Sequence, residues 1–219
     1  MNYKLLIILC LQSFSALCLE SIKINGITLS IVKGDLVKAV YERRGSYHTL
    51  YADVIVNAAN KELARGSGVC GAIFASAEGD KKELQEYLKK EYPKGIKTGH
   101  AVISPSFQLE KFGIQNIIHA VGPIYSHHLP KDAAQLLHDA YTNSLIIAEK
   151  TASIHSIAFP FISSGIYGFP KKEAATIALQ AIIDYAKNHP TSSLTNVYIV
   201  LNNTDDYALF THTLKCLCS

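Results

Sequence analysis

The chain has 219 residues, 48% of them hydrophobic and 18% charged, with 21 basic against 18 acidic side chains. At roughly 150 residues per domain, that length suits one compact domain whose core stands without disulfide staples. The same composition excludes intrinsic disorder and a polytopic membrane protein. The net charge of +3, spread over interleaved bases and acids, leaves no electrostatic footprint for duplex nucleic acid.

Residues 1–18 read as a segment apart from that domain. Lys4 supplies a short positive start, residues 5–11 and 14–18 are apolar around Gln12-Ser13, and Ser15, Ala16 and Cys18 offer a processing site. The stretch is short for a bilayer span and fits a secretory signal peptide. Cleavage would remove Lys4, lower the charge by one and leave residues 19–219 as a single domain, secreted or periplasmic, with a host-cell compartment as a further destination. The run Ser15-Ala16-Leu17-Cys18 is a poor lipid-attachment box, so no membrane association is expected after cleavage.

Along the domain, residues 22–24 and 27–32 read as strands around a turn at Asn25-Gly26. An apparent short helix over residues 36–44 follows, then a turn at Gly45-Ser46. Apolar runs at 54–56, 101–103, 117–119, 157–161 and 197–201 suit strands buried on both faces. Between them, Leu84, Tyr87 and Leu88 share a helical face behind a capping box at Asp80 and Glu83. Ala134, Leu137, Tyr141, Leu145 and Ala148 make a second stripe. A third, Ala174 to Tyr185 through Ile177, Ala178, Ala181 and Ile182, opens at Pro170. Tyr207, Phe210, Leu214 and Leu217 close the chain as an amphipathic helix. Strand–helix alternation of this kind predicts an α/β fold, with helices on both faces of a largely parallel sheet.

Cys70, Cys216 and Cys218 remain after the leader, an odd number, and no second Cys/His pair stands at zinc-site spacing. Neither a metal nor a cofactor is expected. His119 reads as a structural strand-end histidine, and His127-His128 as part of an exposed loop.

Two strand-to-helix connections carry chemistry. The first runs Asp53-Val-Ile-Val-Asn57-Ala-Ala-Asn60, then through Arg65, Gly66, Ser67, Gly68, Val69, Cys70 and Gly71 into a helix. The second is Phe161-Ile-Ser163-Ser164-Gly165-Ile166-Tyr167-Gly168-Phe169-Pro170. Glycines let backbone N–H groups approach an oxyanion, and a helix N-terminus favours negative charge. Two such cradles suit a ligand with adjacent phosphates, although two tight turns would show the same spacing. The formal Gly66-x-Gly68-x-x-Gly71 match to a dinucleotide fingerprint is weak, because the glycines begin nine residues after Asn57 and not directly at the strand end. No Walker A lysine follows either loop.

Together these segments resemble the macrodomain family of ADP-ribose binders. Lys33-Gly34-Asp35-Leu36, Thr98-Gly99-His100-Ala101, residues 117–123 and Tyr141-Thr142-Asn143-Ser144-Leu145 extend the likeness over residues 22–217. The resemblance implies a three-layer α/β/α sandwich on a mixed, mainly parallel sheet. It implies binding of ADP-ribose or mono-ADP-ribosylated protein by a monomer, and hydrolysis that releases mono-ADP-ribose from protein side chains. A reader module without chemistry is the alternative.

Carried over by position, Asp35 would accept from the adenine amine and the Leu36 amide would read a ring nitrogen. Asn60 would orient the distal ribose, and Asn57 would brace the loop. Gly66, Ser67, Gly68 and Val69 would line one phosphate. Ser164, Gly165, Ile166, Tyr167 and Gly168 would wrap the other, with the Tyr167 ring beside the distal ribose. Read from the residues alone, Asp35 is also a plausible helix N-cap and Tyr167 a core aromatic. Catalysis would fall to Asn60, Tyr167 and Cys70.

The chain departs from the family at Cys70, where the hydrolase branch often carries Asp, and at Ser67, where it carries glycine. It departs again at Asn202, where several members stack an aromatic on adenine, and in a long connection over residues 36–52. A thiol is a poor base unless the neighbouring helix N-terminus lowers its pKa, so turnover is expected to be slow.

Overall fold

The computed structural model describes residues 20–43, 45–79 and 81–218. The signal-peptide reading of residues 1–18 therefore lies outside the described residues, as does Asp80 of the expected capping box. Nine strands and five α-helices follow in chain order. The strands are β1 (Glu20–Ile24), β2 (Ile27–Asp35), β3 (Val40–Arg43), β4 (Ser46–Thr49), β5 (Val54–Ala58), β6 (Ala101–Pro105), β7 (Asn116–Ala120), β8 (Ser156–Phe159) and β9 (Asn196–Leu201). The helices are α1 (Gly68–Glu78), α2 (Glu83–Glu91), α3 (Pro130–Lys150), α4 (Lys171–Asn188) and α5 (Thr204–Cys218).

Seven strands form the central layer in the order β1-β2-β9-β8-β5-β7-β6. The five inner strands are parallel, and the edge strands β1 and β6 run antiparallel to their neighbours. Asn25 and Gly26, at φ 46 and 93, make the left-handed two-residue turn that matches the twist of the β1–β2 hairpin. Side chains alternate across the sheet. Val54, Val56, Ile157, Phe159, Val197 and Ile199 pack with α3, α4 and α5 on one face. Ile55, Ile117, Ala158 and Val200 pack with Ile73, Phe74, Leu84 and Leu88 of α1 and α2 on the other. The chain is thus an α/β/α sandwich with two apolar interfaces. No helix among the described residues is long and apolar enough to cross a membrane.

Four sequence expectations are corrected. Residues 36–43 do not form the expected helix, and residue 44 lies outside the described residues. The Asp35 carboxylate accepts from the Val37 and Lys38 amides at 3.0 and 3.1 Å, which stops β2 in a turn. Ala39, at φ 49, then sends the chain back as the hairpin β3–β4, with Asp35 paired to Val40. The apolar spacing of Leu36, Val37 and Ala39 imitated a helix because all three are buried against Leu50 and Ala52. Asp35 therefore caps a turn and not a helix. Glu83 is the first residue of α2, after Lys82 at φ 53, so it does not occupy the third helical position that a capping box requires. Strand β8 ends at Phe159, two residues early, because Pro160 has no N–H to donate. Finally, Ala101, Val102 and Ile103 are only half-buried, since β6 is an edge strand.

Candidate ligand cleft

At the carboxyl ends of the parallel strands the connections part and leave a cleft of about 650 Å³. This is where open α/β sheets place ligands. Asp35 and Leu36 line it after β2, Asn60 after β5, and Asn202 after β9. Residues of both glycine loops line it.

The first loop is tied by its own side chains. Asn60 Nδ2 donates to the Ala64 carbonyl at 2.8 Å, and Asn60 Oδ1 accepts from the Ala64 amide at 2.9 Å. That clasp leaves one N–H and one lone pair of the amide for a ligand. Ser67 caps α1 with extended backbone and without a side-chain hydrogen bond, and Gly68 sits at φ 60. The first turn of α1 thus presents N–H groups that have no partner within the helix. Gly71 is required on packing grounds, because a Cβ there would stand 2.6 Å from the Gly66 carbonyl oxygen.

Cys70, in the first turn of α1, lines the cleft and is 5% exposed. Burial raises its thiol pKa, outweighing a backbone hydrogen bond at Gly66, the Asn57 amide and the Arg65 charge. The helix N-terminus does not turn this thiol into a thiolate, so Cys70 is not the base that the sequence reading entertained. Asn57 does not line the cleft and is fully buried. Its Nδ2 stands 3.7 Å from Cys70 Sγ and 3.1 Å from His119 Nδ1, while Asn57 Oδ1 has no hydrogen-bond partner. His119 is wholly buried, which pushes its pKa down to about 3 and keeps the ring neutral. His127 is exposed in a short 3-10 turn, Tyr125–His127, and His128 is half-buried.

The second loop folds on itself. The Gly168 amide donates to the Gly165 carbonyl at 2.9 Å, and Phe169 to Ser163 at 3.0 Å. Ser164 Oγ donates to the Phe161 carbonyl at 2.9 Å. The Tyr125 amide holds the Tyr167 carbonyl at 2.9 Å. Tyr167 itself is half-buried at the cleft wall, and desolvation, with smaller contributions from Glu62 and Cys70, raises its phenol pKa. Ile166 is 85% exposed at the cleft rim. Gly168 is not among the residues that line the cleft, and it closes the turn at φ 65.

Ser163, Gly122 and Asp206 also line the cleft, and the sequence reading assigned none of them a role. Ser163 takes φ 62, and this aims its buried Oγ where no protein group meets it. Gly122 lies beneath it, and a Cβ at Gly122 would collide with Ser163 Oγ and come 2.6 Å from Ile162 Cγ2. Asp206, at the start of α5, lines the cleft while paired with Lys171 Nζ at 2.7 Å. The Gly122-Pro123 pair after a strand was a usable signal for close approach. Nothing local marked Ser163 or Asp206. No group of His, Cys, Asp and Glu among the described residues could hold a metal ion.

A three-layer α/β domain with a cleft between two glycine-bearing loops is the class that fold and site define. Residues 56–178 match the model of the family described as Macro domain. The "O-acetyl-ADP-ribose deacetylase" of Escherichia fergusonii is 37% identical over 175 residues, covering 80% of this chain and 94% of that protein. The Oceanobacillus iheyensis macrodomain solved with ADP is 37% identical with a TM-score of 0.77, over 93% of this chain and 98% of that one. The Trypanosoma brucei macrodomain in complex with ADP-ribose is 28% identical with a TM-score of 0.67, over 86% of this chain and 68% of that one. The chain belongs to the macro domain family.

Proposed function

We propose that this chain binds ADP-ribose in the cleft and slowly hydrolyses mono-ADP-ribose from modified protein side chains. The observation that carries the reading is the meeting of both glycine loops on one cleft that Asp35, Leu36 and Asn60 also line. In this reading Asp35 and Leu36 take the adenine. The α1 N-terminus and the 164–167 loop take the two phosphates, and Asn60 and Tyr167 face the distal ribose. The relative named O-acetyl-ADP-ribose deacetylase supports hydrolysis of a group carried on that ribose.

Departure of the acceptor develops oxocarbenium character at the distal anomeric carbon, and a water held near Asn60 attacks it. The weak point is the base. Cys70 is held as the neutral thiol, and absence of a general base costs about 10²–10⁴ in rate. That same thiol favours the second reading, a module that recognises ADP-ribosylated protein and turns nothing over.

The experiment is release of labelled ADP-ribose from a mono-ADP-ribosylated carboxylate substrate, with O-acetyl-ADP-ribose in parallel, beside Asn60→Ala. Release of ADP-ribose that vanishes in the variant supports the hydrolase. Deacetylation alone would move the activity to the acyl carbon. Retention of the modified protein without release makes the domain a reader. Export through residues 1–18 is part of the proposal, and an intact Met1 in N-terminal sequencing of the expressed protein would overturn it.

A further inference from the structure

The cleft has a buried support that begins at the edge strand of the sheet. Ser104 on the edge strand β6 donates from Oγ to the Pro105 carbonyl at 3.0 Å, and its Oγ stands 2.9 Å from His119 Nε2. His119 Nδ1 is 3.1 Å from Asn57 Nδ2, which also reaches Cys70 Sγ at 3.7 Å. Cys70 Sγ donates to the Ala64 carbonyl at 3.8 Å, the oxygen that Asn60 Nδ2 clasps at 2.8 Å. The donors fall into one consistent direction. Both hydrogens of the Asn57 amide are spent, one on the ring and one on sulfur. His119 must then accept at Nδ1 and donate from Nε2 to Ser104. The cross-strand register makes the first step possible, because Asn57 and His119 are directly paired on β5 and β7.

We propose that His119 is a positioning residue for the cleft, acting through Asn57 and Cys70 on the Ala64 carbonyl and so on Asn60. It touches no ligand. With its Nε2–H tautomer fixed by Ser104, it offers an acceptor that sets the rotation of the Asn57 amide, and that amide seats the sulfur against the glycine loop. The same stretch of β7 steers the rest of the cleft. The Ala120 carbonyl holds the Ala59 amide at 2.9 Å, and Gly122 lies under Ser163. The inference rests on the ADP-ribose reading of the cleft.

The test is a double-mutant cycle on ADP-ribose affinity, using His119→Phe, Asn57→Leu and the pair, with His119→Gln as the conservative variant. His119→Phe should raise Kd about tenfold and Asn57→Leu by a similar factor. The pair should lose no more than Asn57→Leu alone, because both changes break one chain. His119→Gln, which keeps an acceptor and a donor, should stay within about threefold of the parent. Losses that multiply in the pair would overturn the proposal, as would His119→Phe binding like the parent. The ring itself gives a readout that needs no variant. Nitrogen-15 NMR should find Nδ1 unprotonated and Nε2 protonated at neutral pH, and the opposite tautomer would break the chain as drawn. Failure of the parent protein to bind ADP-ribose would count against the ligand reading, and the tautomer measurement would still judge the chain.

Discussion

Cys70→Asp is the perturbation that separates a slow hydrolase from an idle one. The thiol is 5% exposed and burial raises its pKa above the ordinary 9.0, so the neutral form dominates at pH 7. A carboxylate there starts from an ordinary pKa near 3.9 and meets donors already in place, the Asn57 amide and a backbone hydrogen bond at Gly66. Those donors offset desolvation and keep it ionised at neutral pH. A positioned base contributes about 10²–10⁴ in rate, and the lower end is expected because the site is buried. Burying the new charge should cost about 1–3 kcal/mol of stability, a Tm decrease of roughly 3–10 °C for a domain of this size. The assay is single-turnover release of ADP-ribose at saturating enzyme, with Kd measured in parallel and Cys70→Ser as control. A roughly hundredfold gain in rate with Kd within threefold supports the reasoning. An unchanged rate in a folded variant that still binds would refute the idea that position 70 limits chemistry.

Gly122→Ala should force Ser163 and Ile162 away from β7, with a stability loss of about 1–3 kcal/mol and weaker ADP-ribose binding; thermal unfolding and calorimetry check both, and an unshifted Tm would refute the contact. Asn202→Phe restores an aromatic at the cleft edge, and base stacking worth about 1–3 kcal/mol should tighten ADP-ribose at least fivefold. His119 should make the fold acid-sensitive. Its folded pKa of about 3 lies below its ordinary 6.5, so between those values the unfolded chain binds the extra proton and stability falls as pH falls. From pH 7 to pH 5 that amounts to about 2 kcal/mol. Urea unfolding at pH 7 and pH 5 measures it, and the difference should shrink in His119→Gln.

Much of the molecule was legible without coordinates, for a definite reason. Continuous apolar runs such as 54–56 and 197–201, and stripes such as Leu137, Tyr141 and Leu145, are local signals of burial, and they located β5, β9 and α3. Pro170, Asn25-Gly26 and the paired glycine loops are equally local, because backbone conformation is written in the residue itself. The loops also placed most of the cleft lining, from Asp35 to Tyr167. The segment after Asp35 was misread because the apolar spacing of Leu36, Val37 and Ala39 reports burial, and burial in one cluster with Leu50 and Ala52 looks the same in a helix or a turn.

Tertiary structure decided the chemistry. The Cys70 pKa is raised by burial in the folded domain, which no motif encodes. Asn60 proved to be clasped to Ala64, and Asn57 to be seated behind the cleft instead of in it. The chain Ser104–His119–Asn57–Cys70 needs three neighbouring strands in one register. A shift of one residue would turn His119 to the other face. Sequence alone set the elements, the loops and the family. Which groups are neutral, which are spent on one another and which remain for a ligand follow from partners that only the folded sheet brings within hydrogen-bonding distance.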